Sequence, residues 1–145
     1  GVEQTFWPGR MEEVLPEIFV DGAHNADGVR AFLETVQEDA FEGKRSLLFS
    51  VVSDKDYAQM LRKIAESGLF HKIYLAQMGN YRATALEDMK RHLPESFKGE
   101  VVLFDSVKAA FEEVKVKKLK DERVYIVGSL YLVGEIKEYV NDDKF

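Results

Sequence analysis

Six almost wholly apolar residues, Leu47-Leu48-Phe49-Ser50-Val51-Val52, lead directly into a segment whose apolar residues recur at helical spacing. The apolar face of that segment is formed by Tyr57, Met60, Leu61, Ile64 and Ala65. A strand with apolar residues on both faces is typical of a parallel sheet that helices cover on both sides. The two segments therefore predict a buried β-strand followed by an amphipathic helix.

The same alternation occurs four more times along the chain. Further apolar strands are predicted at 17–21, 73–76, 101–104 and 124–127, and each leads into an amphipathic helix. Because crossovers between parallel strands are right-handed, this order predicts an α/β fold: a three-layer, open, mostly parallel sheet with helices on both faces, of Rossmann-like type. No repeat, low-complexity tract or linker divides the sequence, so residues 1–145 are predicted to form a single domain. The first sixteen residues are predicted to be irregular, since they contain a proline–glycine turn and end at Pro16.

The composition is that of an ordinary soluble globular domain, with 46% hydrophobic and 32% charged residues among 145. The 20 Lys and Arg against 26 Asp and Glu give a formal charge of −6, which argues against nucleic acid as a partner. The absence of cysteine excludes a disulfide scaffold, a cysteine-ligated zinc site and thiol catalysis. No apolar run approaches the roughly 20 residues that span a bilayer, so we expect a cytoplasmic protein without membrane contact. Because the sequence opens on Gly1 rather than Met, we expect it to be part of a longer protein.

A first candidate site follows the strand at 17–21, in Asp21-Gly22-Ala23-His24-Asn25. Ligands of such sheets bind beyond the carboxyl ends of the strands, where a helix N-terminus offers N–H groups and a positive dipole to an anion. His24 can donate to a phosphate, and Asp21 can accept hydrogen bonds from a ribose or hold a cation. The alternative is structural, with Asn25 or Asp27 capping the helix and His24 capping the turn.

Three further candidates lie in other loops. Lys55 offers a point charge to a substrate carboxylate, although its acidic neighbours are also typical of a simple capping loop. Ser129 can hold a carboxylate through its hydroxyl and N–H, or it can cap the last helix. Arg10 lies in the proline–glycine turn, where an arginine is usually just solvated. No general base accompanies Ser129 in the pattern, so no catalytic residue is predicted.

Several familiar site patterns are missing from the sequence. The three histidines lack metal-ligand spacing, so no metal site is predicted, and His71 and His92 are expected to be solvated at helix ends. Without a GxxxxGK[ST] run the chain cannot by itself build a P-loop. No strand–turn–helix junction carries GxGxxG, which argues against a dinucleotide oxidoreductase.

Five segments taken together resemble one known family. They are Trp7-Pro8-Gly9-Arg10-Met11-Glu12, Asp21-Gly22-Ala23-His24-Asn25, Asp54-Lys55-Asp56, Tyr81-Arg82-Ala83 and Gly128-Ser129-Leu130-Tyr131-Leu132-Val133-Gly134-Glu135. This combination resembles the C-terminal domain of the folylpolyglutamate synthase/dihydrofolate synthase family, in the Mur ligase superfamily. The resemblance runs from about Phe6 to the last helix. The sequence departs from the family at Ala26, where Pro is usual, and at Gln77, where Thr is more usual.

The resemblance implies a domain of an ATP-dependent ligase that adds L-glutamate to folates, to dihydropteroate or to both. In that family ATP phosphorylates a carboxylate of the pterin substrate, and the amino group of L-glutamate then displaces phosphate. ATP and Mg²⁺ are held mainly by an N-terminal ATPase domain, whose P-loop is absent here, and residues 1–16 would be the segment that leads in from that domain. We therefore expect the chain alone to fold, to be inactive and to bind ATP weakly.

By matched position, the resemblance also assigns roles to the five candidates. Arg10 would reach the ATP phosphates across the interdomain cleft, Asp21 would contact the nucleotide at the ribose, and His24 would lie on the phosphate side. Lys55 and Ser129 would hold the carboxylates of the incoming glutamate. Two alternatives remain open, namely another Mur-type ligase that joins amino acids to a muramyl peptide or polymer, and a nucleotide-binding α/β module without chemistry of its own.

Overall fold

Strands and helices alternate along the part of the chain that the computed structural model describes, residues 11–52, 57–79 and 84–142. The strands are β1 Glu12–Leu15, β2 Ile18–Asp21, β3 Lys44–Phe49, β4 Lys72–Ala76, β5 Glu100–Phe104 and β6 Glu122–Val127. The helices are α1 Ala26–Glu38, α2 Tyr57–Glu66, α3 Leu86–Arg91, α4 Val107–Lys117 and α5 Leu130–Asp142. Each apolar strand predicted from the sequence is present and is followed by its helix, although β3 begins at Lys44 and ends at Phe49 rather than covering residues 47–52.

The strands form one sheet in the order β1-β2-β6-β3-β4-β5. All neighbouring pairs from β2 to β5 are parallel, and β1 pairs antiparallel with β2. The last strand, β6, is inserted between β2 and β3, and its Val127 lies opposite both Asp21 and Phe49. The carboxyl ends of these three strands therefore lie at one level.

Helices cover both faces of this sheet. One core takes its buried helical residues from α1, α2 and α3, among them Phe32, Leu61 and Met89. The other core takes them from α4 and α5, among them Phe111 and Ile136. The predicted three-layer, open, mostly parallel fold is confirmed. No helix in the described ranges is both long and apolar enough to cross a membrane.

The layer arrangement produces a crevice beside β6. Neighbouring strands β2 and β6 lead into helices on opposite faces, because α1 packs in one core and α5 in the other. In open α/β sheets the loops separate at such a point, and ligands bind in the crevice outside the carboxyl ends of the strands. The candidate loop that begins at Asp21 lies at this position.

The prediction of irregular structure up to Pro16 is wrong for β1. This strand forms a hairpin with β2 through a turn at Pro16 and Glu17, and Glu17 has a φ of 64°. Proline suits the second turn position, but a positive φ at the third normally calls for glycine. Here the Glu13 carboxylate accepts the Glu17 N–H at 2.8 Å, and Arg123 pairs with the Glu17 carboxylate at 2.7 Å. Those contacts hold a turn that the local sequence does not favour.

The predicted helix-end position of His71 is also wrong, although the residue is exposed as predicted. His71 precedes β4, and its Nε2 lies 3.0 Å from the carboxylate of Glu122 at the start of β6. The same carboxylate accepts the Ser46 hydroxyl and, at 2.9 Å, the Leu119 N–H. Burial raises the pKa of the Glu122 carboxyl, but these hydrogen bonds outweigh it and hold the pKa below its ordinary value. Ser46 and Glu122 are buried while His71 is exposed, and the cluster links β3, β4 and β6 at the amino ends of the strands, away from the candidate site.

Candidate functional site

The loop after β2 is held in shape by its own polar groups. The Asp21 carboxylate accepts the Ala23 N–H at 2.8 Å, so the chain turns sharply as the strand ends. His24 Nδ1 donates to the Gly22 carbonyl at 3.0 Å. Because a carbonyl oxygen can only accept, the proton of a neutral His24 ring is on Nδ1, which leaves Nε2 for a ligand. Both side chains are half-buried.

The first turn of α1 begins directly beyond this loop. The Asn25 side chain caps the helix by accepting the Gly28 N–H at 2.7 Å. A Cβ on Gly28 would lie 3.2 Å from that Asn25 oxygen and 3.3 Å from Ala23 Cα, so glycine lets the helix start close to the loop. The alternative prediction for this segment, that Asn25 caps the helix and His24 caps the turn, therefore describes contacts that the structure contains.

The turn between β6 and α5 ties three strand ends together. Gly128 has a φ of 137°, and a Cβ there would lie 2.1 Å from the Ser50 carbonyl oxygen, just beyond β3. Its N–H donates to the Ala23 carbonyl at 3.1 Å, just beyond β2. Only a glycine combines this backbone conformation with such a close approach. The loops that follow β2, β3 and β6 therefore have fixed relative positions.

Ser129 acts as a helix cap in this turn. Its side chain accepts the Tyr131 N–H at 3.0 Å, its carbonyl accepts the Val133 N–H at 3.2 Å, and only 3% of the residue is exposed. The hydroxyl hydrogen is the group that Ser129 can still offer to a ligand. The predicted capping role thus describes the geometry of Ser129. The predicted contact between Ser129 and a glutamate carboxylate stays a prediction.

A cavity of about 430 Å³ opens at the carboxyl end of β2. Its walls come from the loop after β2, from one face of α1 and from the start of α5: Asp21, Gly22, Ala23, His24, Asn25, Asp27, Gly28, Ala31, Phe32, Thr35 and Leu130. The volume lies within the range of small-molecule sites, roughly 300–1,000 Å³. The cavity therefore lies where the topology predicts ligand binding.

The charged side chains that line the described part of the cavity are carboxylates. Its carboxylates are Asp21 and Asp27, and the lining residues in the described part of the chain include neither Lys nor Arg. Asp27 pairs at 2.9 Å with Arg30, which lies outside the cavity and also contacts Glu34 at 3.1 Å. The hydrogen bonds that Arg30 donates to the Asp27 carboxylate raise the pKa of the Arg30 guanidinium. The carboxylate oxygens of this wall can accept hydrogen bonds from hydroxyl donors.

The structure brings two of the five predicted site residues into one cavity wall, Asp21 and His24. Ser129 directly precedes the lining residue Leu130, but its own side chain is used in the helix cap. Arg10 and Lys55 lie outside the described residues, as does the Tyr81-Arg82-Ala83 segment.

Sequence reasoning missed Leu130 as a cavity residue. It is 53% exposed, and its neighbour Tyr131 is 69% exposed, at the start of an otherwise amphipathic helix. The available signal was a pair of large apolar residues directly after the Ser129 cap, at positions where a solvated first turn would carry polar side chains.

The family model described as Mur ligase, glutamate ligase domain, matches residues 9–130. The dihydrofolate synthase/folylpolyglutamate synthase of Bacillus subtilis is 31% identical over 140 residues, which are 95% of this chain and 31% of that protein. The chain thus spans about a third of the length of such relatives.

Two solved structures of similar fold have bound nucleotides according to their descriptions. E. coli FolC in complex with DHPP and ADP has a TM-score of 0.83 at 23% identity, with 96% of this chain and 32% of that chain covered. The Yersinia pestis bifunctional folylpolyglutamate synthase/dihydrofolate synthase with AMPPNP and Mn has a TM-score of 0.80 at 22% identity, with 94% and 32% covered. At these identities the likeness shows the fold.

Proposed function

The chain belongs to the Mur ligase glutamate ligase domain family, and from that premise we propose that it is a domain of an ATP-dependent folylpolyglutamate/dihydrofolate synthase. The proposal is supported by the family match together with the position of the cavity. That cavity lies beyond β2 and is lined by the aspartate and histidine of the Asp21–Asn25 segment. The relatives at about 30% identity carry the names of this enzyme class.

The proposed reaction joins L-glutamate to a folate or dihydropteroate carboxyl group. A carboxylate oxygen attacks the γ-phosphorus of ATP, so that an acyl phosphate forms and ADP leaves. The glutamate amine then attacks the acyl carbon, the C–O bond to phosphate breaks, and the amine loses a proton. The products are the amide, ADP and inorganic phosphate. The protein must align the amine with the activated carbonyl and neutralise the transferred phosphoryl group.

Within this scheme the described residues contribute to nucleotide binding. The Asp21 carboxylate is proposed to accept a ribose hydroxyl, and His24 to contact the phosphate side through Nε2. When both ring nitrogens carry protons, Nε2 donates to a phosphate oxygen while Nδ1 keeps its bond to the Gly22 carbonyl. Arg10 is proposed to reach the phosphates, and Lys55 and Ser129 to hold the glutamate carboxylates.

The P-loop and the Mg²⁺ site are proposed to belong to another domain of the complete protein. No group of three His, Cys, Asp or Glu side chains in residues 11–52, 57–79 and 84–142 could hold a metal ion. The metal would supply charge neutralisation at the phosphates. The residues described here bind and orient the nucleotide from the other side of the cleft, and residues 1–16 would lead in from that domain.

The test is ligation by the complete protein. We expect ATP-dependent attachment of L-glutamate to dihydropteroate or to a folate monoglutamate, measured by product mass and by ADP release. Loss of one charged contact costs roughly 10- to 100-fold in kcat/KM for ATP, which we expect for Asp21→Ala and for Arg10→Ala.

Matched controls remove the same charges elsewhere. Asp142→Ala, in the last turn of α5, and Arg62→Ala, on α2, are both exposed and should leave ligation unchanged. Normal ligation by the Asp21 and Arg10 variants would contradict the proposed roles. Ligation only to muramyl substrates would assign the protein to another branch of the superfamily, and absence of any ligation would contradict the enzymatic proposal.

A further inference from the structure

We propose that another cavity, at the amino ends of β4 and β5, is a binding site for a small aromatic carboxylate. Its walls come from the end of α2, from Phe70 and His71 before β4, and from residues 96–99 before β5. Its volume of about 430 Å³ lies within the range of small-molecule sites. The candidate site lies at the carboxyl ends of the strands, so the two cavities are separate. The inference does not depend on the proposed function.

Lys98 gives this cavity a cationic group. It is exposed, and no ion pair of Lys98 is present among the described residues. The lining residues in the described part of the chain include neither Asp nor Glu, and Ser96 adds a hydroxyl that can donate to the same ligand. An ammonium and a hydroxyl are the donors that a carboxylate requires. The lining therefore favours an organic anion.

The carboxyl end of α2 opposes an anion here, but only weakly. The helix dipole places a partial negative charge at this end, where Ala65 lines the cavity. The Ser67 N–H and hydroxyl donate to the Ile64 carbonyl at 3.3 and 2.7 Å, which satisfies one carbonyl of the last turn. The dipole of an exposed helix end contributes less than a hydrogen bond from a charged donor, so the Lys98 contact outweighs it.

Aromatic surface in the wall favours a ring on the ligand. Phe97 is half-buried, and Phe70 is 6% exposed. Phe70 also stacks on Phe32 in the core, with ring centroids 6.5 Å apart, so it forms a fixed floor. A ring that packs against Phe97 gains offset or edge contacts beyond the apolar area that it buries. We therefore expect the ligand to combine a ring with its carboxylate.

Backbone contacts between the strands fix the shape of the cavity. A Cβ on Gly99 would lie 2.5 Å from the Phe97 ring and 2.6 Å from the His71 carbonyl oxygen, so this glycine lets the two segments approach. The His71 N–H donates to the Arg45 carbonyl at 2.9 Å, and its Nε2 is held by Glu122. Because the wall is already ordered, little motion is lost on binding.

The experiment is an NMR titration of the ¹⁵N-labelled full-length protein with benzoate, benzyl alcohol and acetate. The amide signals of Gly68 and Gly99 report on this cavity, and the amide signal of His24 reports on the candidate site. Benzyl alcohol lacks the charge of benzoate, and acetate lacks its ring. We expect benzoate to shift the two glycine signals with a Kd at least about tenfold below those of the other two probes.

Variants of the wall identify the groups responsible. Lys98→Ala should raise the Kd of benzoate about tenfold, whereas Lys98→Arg keeps the charge and should stay within about threefold. Phe97→Leu keeps an apolar side chain but loses the ring contact, so it should raise the Kd about threefold. Lys108→Ala is the matched control, since it removes an exposed lysine on α4, away from the cavity, and should leave the Kd unchanged.

The unfolding midpoints of the variants check that each one folds. Four outcomes would each overturn the inference: no benzoate shift at Gly68 and Gly99, equally tight binding of benzyl alcohol, an unchanged Kd in Lys98→Ala, or shifts confined to His24. Failure of the proposed function has a different signature, namely absence of glutamate ligation with benzoate binding unaffected.

Discussion

Replacing Gly128 with alanine should strongly destabilise the chain. Its φ of 137° costs a residue with a side chain about 1–3 kcal/mol. The added Cβ would also lie 2.1 Å from the Ser50 carbonyl oxygen, and forcing extra volume into a packed site costs about 1–3 kcal/mol. The middle of both ranges gives about 4 kcal/mol, a large share of the 5–15 kcal/mol that stabilises a typical domain.

Two other glycines separate the contributions. Gly68 has a φ of 72° with no heavy atom within 4 Å of a Cβ, so Gly68→Ala carries the backbone cost alone, about 1 kcal/mol. Gly134 lies within α5 and is equally open, so Gly134→Ala should stabilise the chain by about 0.5–1 kcal/mol through helix propensity.

The assay is equilibrium unfolding of the 145-residue chain in urea, with the midpoint and the slope compared among the three variants. The expected order of stability is Gly134→Ala above the wild type, then Gly68→Ala, then Gly128→Ala. If Gly128→Ala lost no more stability than Gly68→Ala, the close approach to the Ser50 carbonyl would contribute nothing, and the reasoning would be refuted.

Three further outcomes are expected. Because the folded-state pKa of Glu122 is lowered, its stabilisation is complete above the unfolded value of about 4.3 and is lost as the pH falls. Glu122→Gln should therefore flatten the acid limb of stability measured by urea unfolding between pH 3 and 7, and an unchanged limb would contradict this. Asn25→Ala should lower the unfolding free energy by about 1 kcal/mol, while Asn25→Asp keeps the cap, and equal stability of the two would argue against it. Calorimetry of the isolated chain should show weak ATP binding without turnover, whereas tight binding would mean that the second domain is not needed.

Local periodicity was sufficient to predict the five strand–helix pairs. The apolar pattern of a buried strand or of an amphipathic helix is complete within about ten residues. The helix cap at Asn25 was also predictable from the sequence, because its side-chain oxygen accepts the N–H of Gly28, only three residues further along the chain. By contrast, β1 carries two glutamates and follows no clear alternation, and its turn places Glu17 at a positive φ. Only pairing with β2 and the distant Arg123 makes that hairpin favourable.

Long-range neighbours explain the other differences. Ser46, His71 and Glu122 are separated by up to 76 positions, and they meet because β6 is inserted beside β3. Leu130 became a cavity residue in the same way, through the hydrogen bond that joins the β6–α5 turn to the β2 loop.

The amino-acid order alone thus determined the layers of the fold, the family to which the chain is similar, and the loop that carries Asp21 and His24. These properties depend on residue spacing and on motifs of a few residues. Strand order decided which loops share a cavity, which carboxylate is buried beside a histidine, and which exposed leucine lines the cavity. Those contacts join residues that are distant in sequence, so they can stabilise the protein only after the sheet has assembled.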